Sequence, residues 1–326
     1  MRRTDLTLVH RPVGVRAAEL LVAAALLAWP LALGESRFAL HVGVMVALYA
    51  TLAMSMNLML RIGQLSLAHG ALFGIGAYVS AILTRDAGLG FVSAFVLAGL
   101  ASALIALVTA PLFMRIKGVH FALLTFAFGE VVVLCFVEFV DIFGGNNGFG
   151  QIPPAQLLGH TLDRYGSYLL ATTLALVSYF SLQAMYRREL GVITASLQQD
   201  EALVTASGFE ALRFRVAVFV LSAAMAGWAG SLFAHYQGYI SPDSFGFWTA
   251  VNAVIINVLG GVGALLGVVV GGFLLIPLPE LLRDLQQYQR FIYGIVLMAL
   301  LCFMPKGLAG LWSGLIERLR VGRARA

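Results

Sequence analysis

Long apolar runs dominate this chain. They cover 17–34, 39–60, 64–84, 91–113, 119–140, 166–186, 214–236, 247–260, 263–282 and 290–307. One helical crossing of a bilayer takes roughly 20 residues, so most of these runs are of spanning length. The pattern predicts an all-α fold class: a polytopic helical membrane bundle of about ten transmembrane helices, with eight to ten as the range. A tail at 1–16, a single membrane domain at 17–310 and a second tail at 311–326 complete the domain plan. The first run could pass for a signal peptide, but its tail is long and no small-x-small cleavage site follows, so it reads as an uncleaved span.

Two links between runs are long. The first, 141–165, is dense in Gly, Asn and Pro, residues that build defined turns. The second, 187–215, contains a stretch at 194–209 that predicts a short amphipathic helix, with Leu197, Leu203 and Val204 on its apolar side and Gln198, Gln199, Asp200 and Glu201 on its polar side. It is too polar to enter lipid.

Charge sets the orientation. The N-terminal arginines, Arg61, Arg115, Lys117, Arg187, Arg188, Arg213, Arg215 and the C-terminal arginines all fall on one side if the number of crossings is even. The positive-inside rule makes that side cytoplasmic, so both termini and the 187–215 link are expected there and the 141–165 loop on the opposite face. Composition agrees: of 326 residues, 60% are apolar and 11% charged, against about 25% charged in ordinary soluble domains. A soluble fold is excluded. The net charge of +5 does not indicate nucleic acid, because the cations sit in tails and short links and not in a phosphate-binding patch.

Small residues recur at helical spacing. Gly70 and Gly74, the stripe Ser222, Ala226, Gly230 and Ala234 with Gly227 beside it, and Gly263, Gly267 and Gly271 are candidates for close helix packing in lipid. A faint internal echo at an offset of 200 aligns Asn57, Gly63, Leu65 and Phe73 with Asn257, Gly263, Leu265 and Phe273. Transporters are often built from such repeats, with broken helices near the midplane.

Catalytic motifs are missing. A phosphate-binding loop needs Gly directly before Lys, and the two lysines, Lys117 and Lys306, follow Ile116 and Pro305. There is no His-Glu-x-x-His zinc motif and no Gly-x-Ser-x-Gly elbow. The residues that stand out are polar groups inside apolar runs. Glu130 lies near the middle of 119–140, where an ionised carboxylate costs at least ~2.5 kcal/mol; it reads either as a group lining a solute path or as a buried hydrogen-bonding strut. Thr125 is expected to share its face. Gln64, Ser66 and His69 follow Arg61 closely, and non-helical backbone at membrane depth is tolerated only beside a cavity or inside protein. With Asn57, these are the candidate path residues.

The same residues carry a resemblance. Positions 63–78, Gly-Gln-Leu-Ser-Leu-Ala-His-Gly-Ala-Leu-Phe-Gly-Ile-Gly-Ala-Tyr, resemble the signature of the LivM-type permease of branched-chain amino acid ABC importers. Thr-Phe-Ala-Phe-Gly-Glu at 125–130, the glycines of 144–148, Asp200 with Glu201, Gly208, the block 215–230, Ile-Ser-Pro at 240–242 and Leu-Gly-Gly-Val-Gly at 259–263 follow in the family's order. The resemblance covers roughly 40–310. It implies a multi-pass protein of the inner membrane that forms the solute path, binds no cofactor itself, and is not an enzyme. ATP and Mg would be used by two cytoplasmic ATPase subunits. A second, LivH-like permease subunit and a periplasmic or surface solute-binding protein are the other implied partners. The stretch holding Gln198, Asp200, Glu201 and Gly208 would be the ATPase-coupling segment, and the 144–154 loop would face the binding protein. Three arginines usual in the family are replaced here by Val133, Val192 and Gln198. Urea and short-amide importers use similar permeases, and a self-sufficient secondary transporter with Glu130 as coupling residue is the rival from another class.

Overall fold

The computed structural model describes residues 36–157, 159–282 and 288–303. The expected first span at 17–34 and both tails lie outside the described residues. The described chain is mostly helical. Its α-helices of six or more residues are α1 (Arg37–Arg61), α2 (His69–Arg85), α3 (Phe91–Phe113), α4 (Val119–Glu138), α5 (Arg164–Tyr186), α6 (Glu189–Gln199), α7 (Glu201–Ala206), α8 (Ala211–Gln237), α9 (Phe247–Gly260), α10 (Leu265–Leu275) and α11 (Gln289–Phe303).

The apolar runs predict these boundaries closely, and local chemistry sets the ends. Ser36 caps α1 by accepting the Ala39 N–H, and Asp163 caps α5 by accepting the Gly166 N–H at 2.7 Å. Gly63, at φ +74°, turns the chain out of α1.

The crossing count differs from expectation. Among the described residues, five helices are long and apolar enough to span a membrane: α1, α3, α4, α5 and α8. A sixth candidate is the pair Pro242–Gly260 and Leu265–Pro279, bent by 119°. The run 17–34 and the end of 290–307 lie outside the described residues. The runs 64–84, 247–260 and 263–282 yield helices of 17, 14 and 11 residues, the last followed by the short helix Pro277–Leu281. At 1.5 Å per residue, the 14-residue α9 reaches only about 21 Å, short of a hydrocarbon core of about 30 Å. Backbone breaks at 62–68 and 261–264 interrupt the helices on either side.

The bundle is organised around α8, which packs on α3, α2 and α1, while α5 lies along α1 and the α9–α10 pair covers the other side of α1. Helices α1 and α8 are therefore largely buried, and α3 and α4 present rows of exposed leucine and valine. The 141–165 loop is structured as expected: a helical turn at Val140–Phe143, a 3₁₀ turn at Gly145–Asn147, and a minimal antiparallel hairpin pairing Gln156 with Thr161 and Leu157 with His160.

The amphipathic helix expected over 194–209 is instead two helices, α6 and α7, broken at Asp200, whose backbone is extended at φ −153°. Asp200 breaks the helix because its carboxylate accepts the Ala202 N–H at 2.9 Å and starts a new one. Leu197 and Val204 are buried as expected, and the Leu203 side chain lies outside the described ones.

Candidate translocation and coupling site

The break between α1 and α2 gathers most of the polar residues that stand out in the sequence. Asn57, Gln64, Ser66 and His69 are all buried to 2% exposure or less. Burial in a membrane protein demands partners. The Asn57 amide donates to Asn257 Oδ1 at 2.8 Å, Asn257 donates to the Ala53 and Ala253 carbonyls, and the Tyr186 hydroxyl donates to Asn57 Oδ1 at 3.1 Å. His69 Nδ1 lies 3.1 Å from the Ser66 hydroxyl. Gln64 reaches the Ile116 carbonyl at a long 3.4 Å. Among the described residues, buried Gln64 Oε1 and His69 Nε2 have no hydrogen-bond partner, and such groups in a native site call for an explanation.

Thr125 holds the break in place. Its hydroxyl oxygen accepts the Leu67 N–H at 3.0 Å while it donates back to its own helix. Gly129, one turn on, lies under Leu67 and Ala68. Glu130 does not share that face: five positions from Thr125, it is about 140° around the helix. It is partly exposed, on the outward stripe between Leu123 and Leu134, and has no partner among the described residues. Thr125 thus makes the contact with the broken backbone.

The internal echo has a structural counterpart. Asn57 lies near the end of α1, followed by Gly63 at φ +74°; Asn257 lies near the end of α9, followed by Gly263 at φ +91°. The two breaks are alike, and their asparagines bond to each other.

At the end of the bundle marked by Arg61, α6 and α7 meet the membrane helices. Cα of Gln198 would lie 3.6 Å from a Cβ added at Gly63, so α6 rests directly on the broken segment. Glu201 forms an ion pair with Lys117, in the α3–α4 link, and another with Arg215 of α8 at 2.8 Å. Arg215 is 5% exposed. Partial burial raises the affinity of Glu201 for a proton, but Lys117 and Arg215 outweigh it and hold the carboxyl below the usual range. Arg61 stacks over the Tyr186 ring, its guanidinium carbon 4.0 Å from the centroid. Gly208, at φ +87° in open space, is the turn that returns the chain from α7 to α8.

The glycines sort into two roles. Gly76 of α2 and Gly227 of α8 meet backbone to backbone, Gly230 abuts the Phe73 carbonyl, and Gly260 and Gly267 abut each other across the α9–α10 bend. Gly70 and Gly74 make room for the descending segment at Phe245 and Gly246, and Gly271 for Ile256. Gly263 touches nothing within 4 Å, and its positive φ makes it a turn residue.

At the opposite end, side chains that sequence reasoning passed over fasten the 141–165 loop. Arg85 lies 3.4 Å from the Phe149 ring centroid and donates to the Gly150 carbonyl. Phe149 and Ile240 form an isolated antiparallel bridge, and Tyr239 donates to the Asn147 carbonyl. The buried chain Ser231–Ser80–His235–Pro153 fixes its own proton order. The Pro153 carbonyl only accepts, so His235 Nδ1 is the donor at 2.7 Å. Nε2 of the neutral ring then accepts from Ser80 at 2.9 Å, and Ser80 accepts from Ser231 at 2.7 Å. Ser80 and His235 carried the same signal as Glu130, a polar group inside an apolar run.

Comparison with known proteins bears on this architecture. Residues 38–303 match the family described as branched-chain amino acid transport system, permease component. A LivM high-affinity branched-chain amino acid permease from Salmonella typhimurium is 32% identical over 306 residues, covering 86% of this chain and 72% of its own. The Escherichia coli LivM protein is 31% identical with the same coverage, and the Escherichia coli LivH protein is 26% identical over 80% of this chain and 91% of its own. No solved structure matches the chain. With its apolar helices, broken segments and a family match that runs from the start of α1 to the end of α11, this multi-pass membrane protein belongs to the branched-chain amino acid transport permease family, a family of transporters and not of enzymes.

Proposed function

We propose that this chain is the permease subunit of an ATP-driven importer for branched-chain amino acids in the inner membrane. The observation that carries the reading is the seat of α6 and α7. They sit outside the bundle, rest on the broken α1–α2 segment through Gln198 and Gly63, and are tied to α8 and the α3–α4 link through Glu201. Force applied there reaches the broken helix directly. A chain without a phosphate-binding loop needs such a place, because its energy comes from ATPases docked beneath it.

The topology fits that reading. Arg61, Lys117, Glu201 and Arg215 gather at one end, and the loop, Arg85 and His235 at the other. With the cationic end cytoplasmic, the described helices alternate in direction, and about ten helices with both termini inside remains the proposed plan. The face of α4 that bears Glu130 supports a second, LivH-like permease subunit. A carboxylate on an outward stripe is costly against lipid, so this stripe faces protein. The other proposed partners are two cytoplasmic ATPases, which use ATP and Mg, and a solute-binding protein on the 141–165 loop.

The test is uptake of labelled leucine into proteoliposomes holding this chain, its partner permease, the ATPases and the binding protein. Uptake that needs ATP and all subunits is expected. Uptake by this chain alone, driven by an ion gradient and abolished by Glu130→Gln, would establish a secondary transporter instead. Uptake of urea or a short amide in place of leucine would overturn the substrate.

A further inference from the structure

Two cavities lie at the loop end of α1, and none of the residues discussed so far as path candidates lines them. The larger, 470 Å³, sits between the start of α1, the start of α5 and the end of α8, with Arg37, Asp163, Arg164, Ser167 and Tyr236 in its wall and Leu162 of the loop beside them. That volume falls within the usual range for small-molecule sites. The smaller, 190 Å³, lies deeper along α1 and is mainly apolar, walled by Val42, Met45, Leu275, Ile276 and Pro279. His41 lines both. Its Nδ1 is 2.9 Å from the Tyr236 hydroxyl and the two rings stack at 5.7 Å, so His41, held by Tyr236, is the wall the cavities share.

The charges of the larger cavity are unspent. Among the described residues, neither Arg37 nor Arg164 makes a hydrogen bond or ion pair, and the hydrogen bond of the Asp163 carboxylate uses only Oδ1, toward the Gly166 N–H. A polar chamber with two free cations and a half-used carboxylate, sharing the His41 wall with a mainly apolar one, has the polarity of one class of molecule. An anion alone would leave Asp163 repelling it, and an amine alone would face two arginines.

We propose that the two adjoining cavities form a subsite for a zwitterionic aliphatic α-amino acid on its way into the permease. The carboxylate lies toward Arg37 and Arg164, the ammonium toward the free oxygen of Asp163, and the aliphatic side chain points past His41 and Tyr236 toward Met45 and Ile276. This rests on the importer reading above, and it adds that the permease itself inspects both charges and the side chain before passage. Arg–carboxylate pairs are bidentate and geometrically selective, which suits the first of these tasks.

The experiment needs neither the ATPases nor the binding protein, so its failure is separable from failure of the importer reading. Ser167→Cys is placed in the full chain with Cys135 and Cys302 changed to Ser, in membranes, and labelled with a membrane-impermeant maleimide added from outside. Leucine is expected to slow the labelling, glycine to do so about tenfold less effectively for want of the side chain, and 3-methylbutylamine and 4-methylpentanoate not at all. Adding Arg164→Gln is expected to raise the leucine concentration for half-protection about tenfold, while Arg164→Lys recovers part of it. Protection by 4-methylpentanoate equal to that by leucine would make the site a general anion or lipid-headgroup site and overturn the proposal. So would protection by glycine equal to that by leucine, absence of protection by leucine, or absence of labelling from outside.

Discussion

Glu201 illustrates how one carboxylate can hold a surface helix to the bundle. Replacing it with Gln leaves Arg215 buried without its counter-charge, a loss of about 1–3 kcal/mol. The expected result is a lower melting temperature for Glu201→Gln in detergent at neutral pH and weaker coupling of leucine uptake to ATP. Acid distinguishes this from a packing defect. The folded carboxyl is held below its ordinary value, so its contribution is complete above that value and disappears as pH falls through the depressed one. Wild type and Glu201→Gln should therefore melt together in acid; a gap that persists there would refute the ion pair as the cause. Thr125 makes a second residue-level claim. Thr125→Val removes the acceptor of the buried Leu67 N–H and should cost about 1–3 kcal/mol, while Thr125→Ser should recover most of it. Equal melting of the Val and Ser variants would count against the tether.

Among the elements, the glycines allow a graded test. Gly76→Ala or Gly230→Ala drives a methyl into the backbone of the facing helix, and overpacking of that kind costs about 1–3 kcal/mol or more. Gly263→Ala meets open space and carries only the left-handed backbone cost of about 1–2 kcal/mol. Thermal melts of the purified variants should rank Gly263→Ala as milder than the other two. What was legible in the sequence follows from the same physics. Hydropathy placed the helix boundaries, because lipid leaves the backbone few options, and a spacing of four found the close seams. Gly263 looked like another member of a stripe because spacing reports residue size and not φ. The break at Asp200 was missed because helical periodicity continues across it, and the Asn57–Asn257 bond joins residues that periodicity cannot relate. Glu130 drew attention as an acid near the middle of its run, yet Thr125, with an unremarkable hydroxyl, is the residue that grips the broken backbone. Sequence could show that a polar group at depth needs a partner, but not which one it finds.

For the whole molecule, the two ends are chemically distinct, and that yields a topology test. In a chain lacking Cys135 and Cys302, Asn146→Cys should react with an impermeant maleimide only from outside intact cells and Glu210→Cys only after the membrane is opened. The reverse pattern would place the coupling helices on the wrong side and end the importer reading. The larger architecture also shows why the site was only partly legible. The loop end is held by pairs such as Arg85 with Phe149 and His235 with Pro153, whose members are separated by 64 and 82 positions (149 − 85 and 235 − 153). No window of sequence spans them.

The contact between Ser80 and Ser231, 151 residues apart, has a consequence for biogenesis. A ribosome adding about 5–20 residues per second delivers α8 roughly ten to thirty seconds after α2. Throughout that interval α2 waits in the bilayer with a bare glycine groove and a serine hydroxyl lacking its final partner. The newborn protein therefore depends on whatever shelters that groove from other nascent helices, and depletion of the insertion machinery should harm this seam.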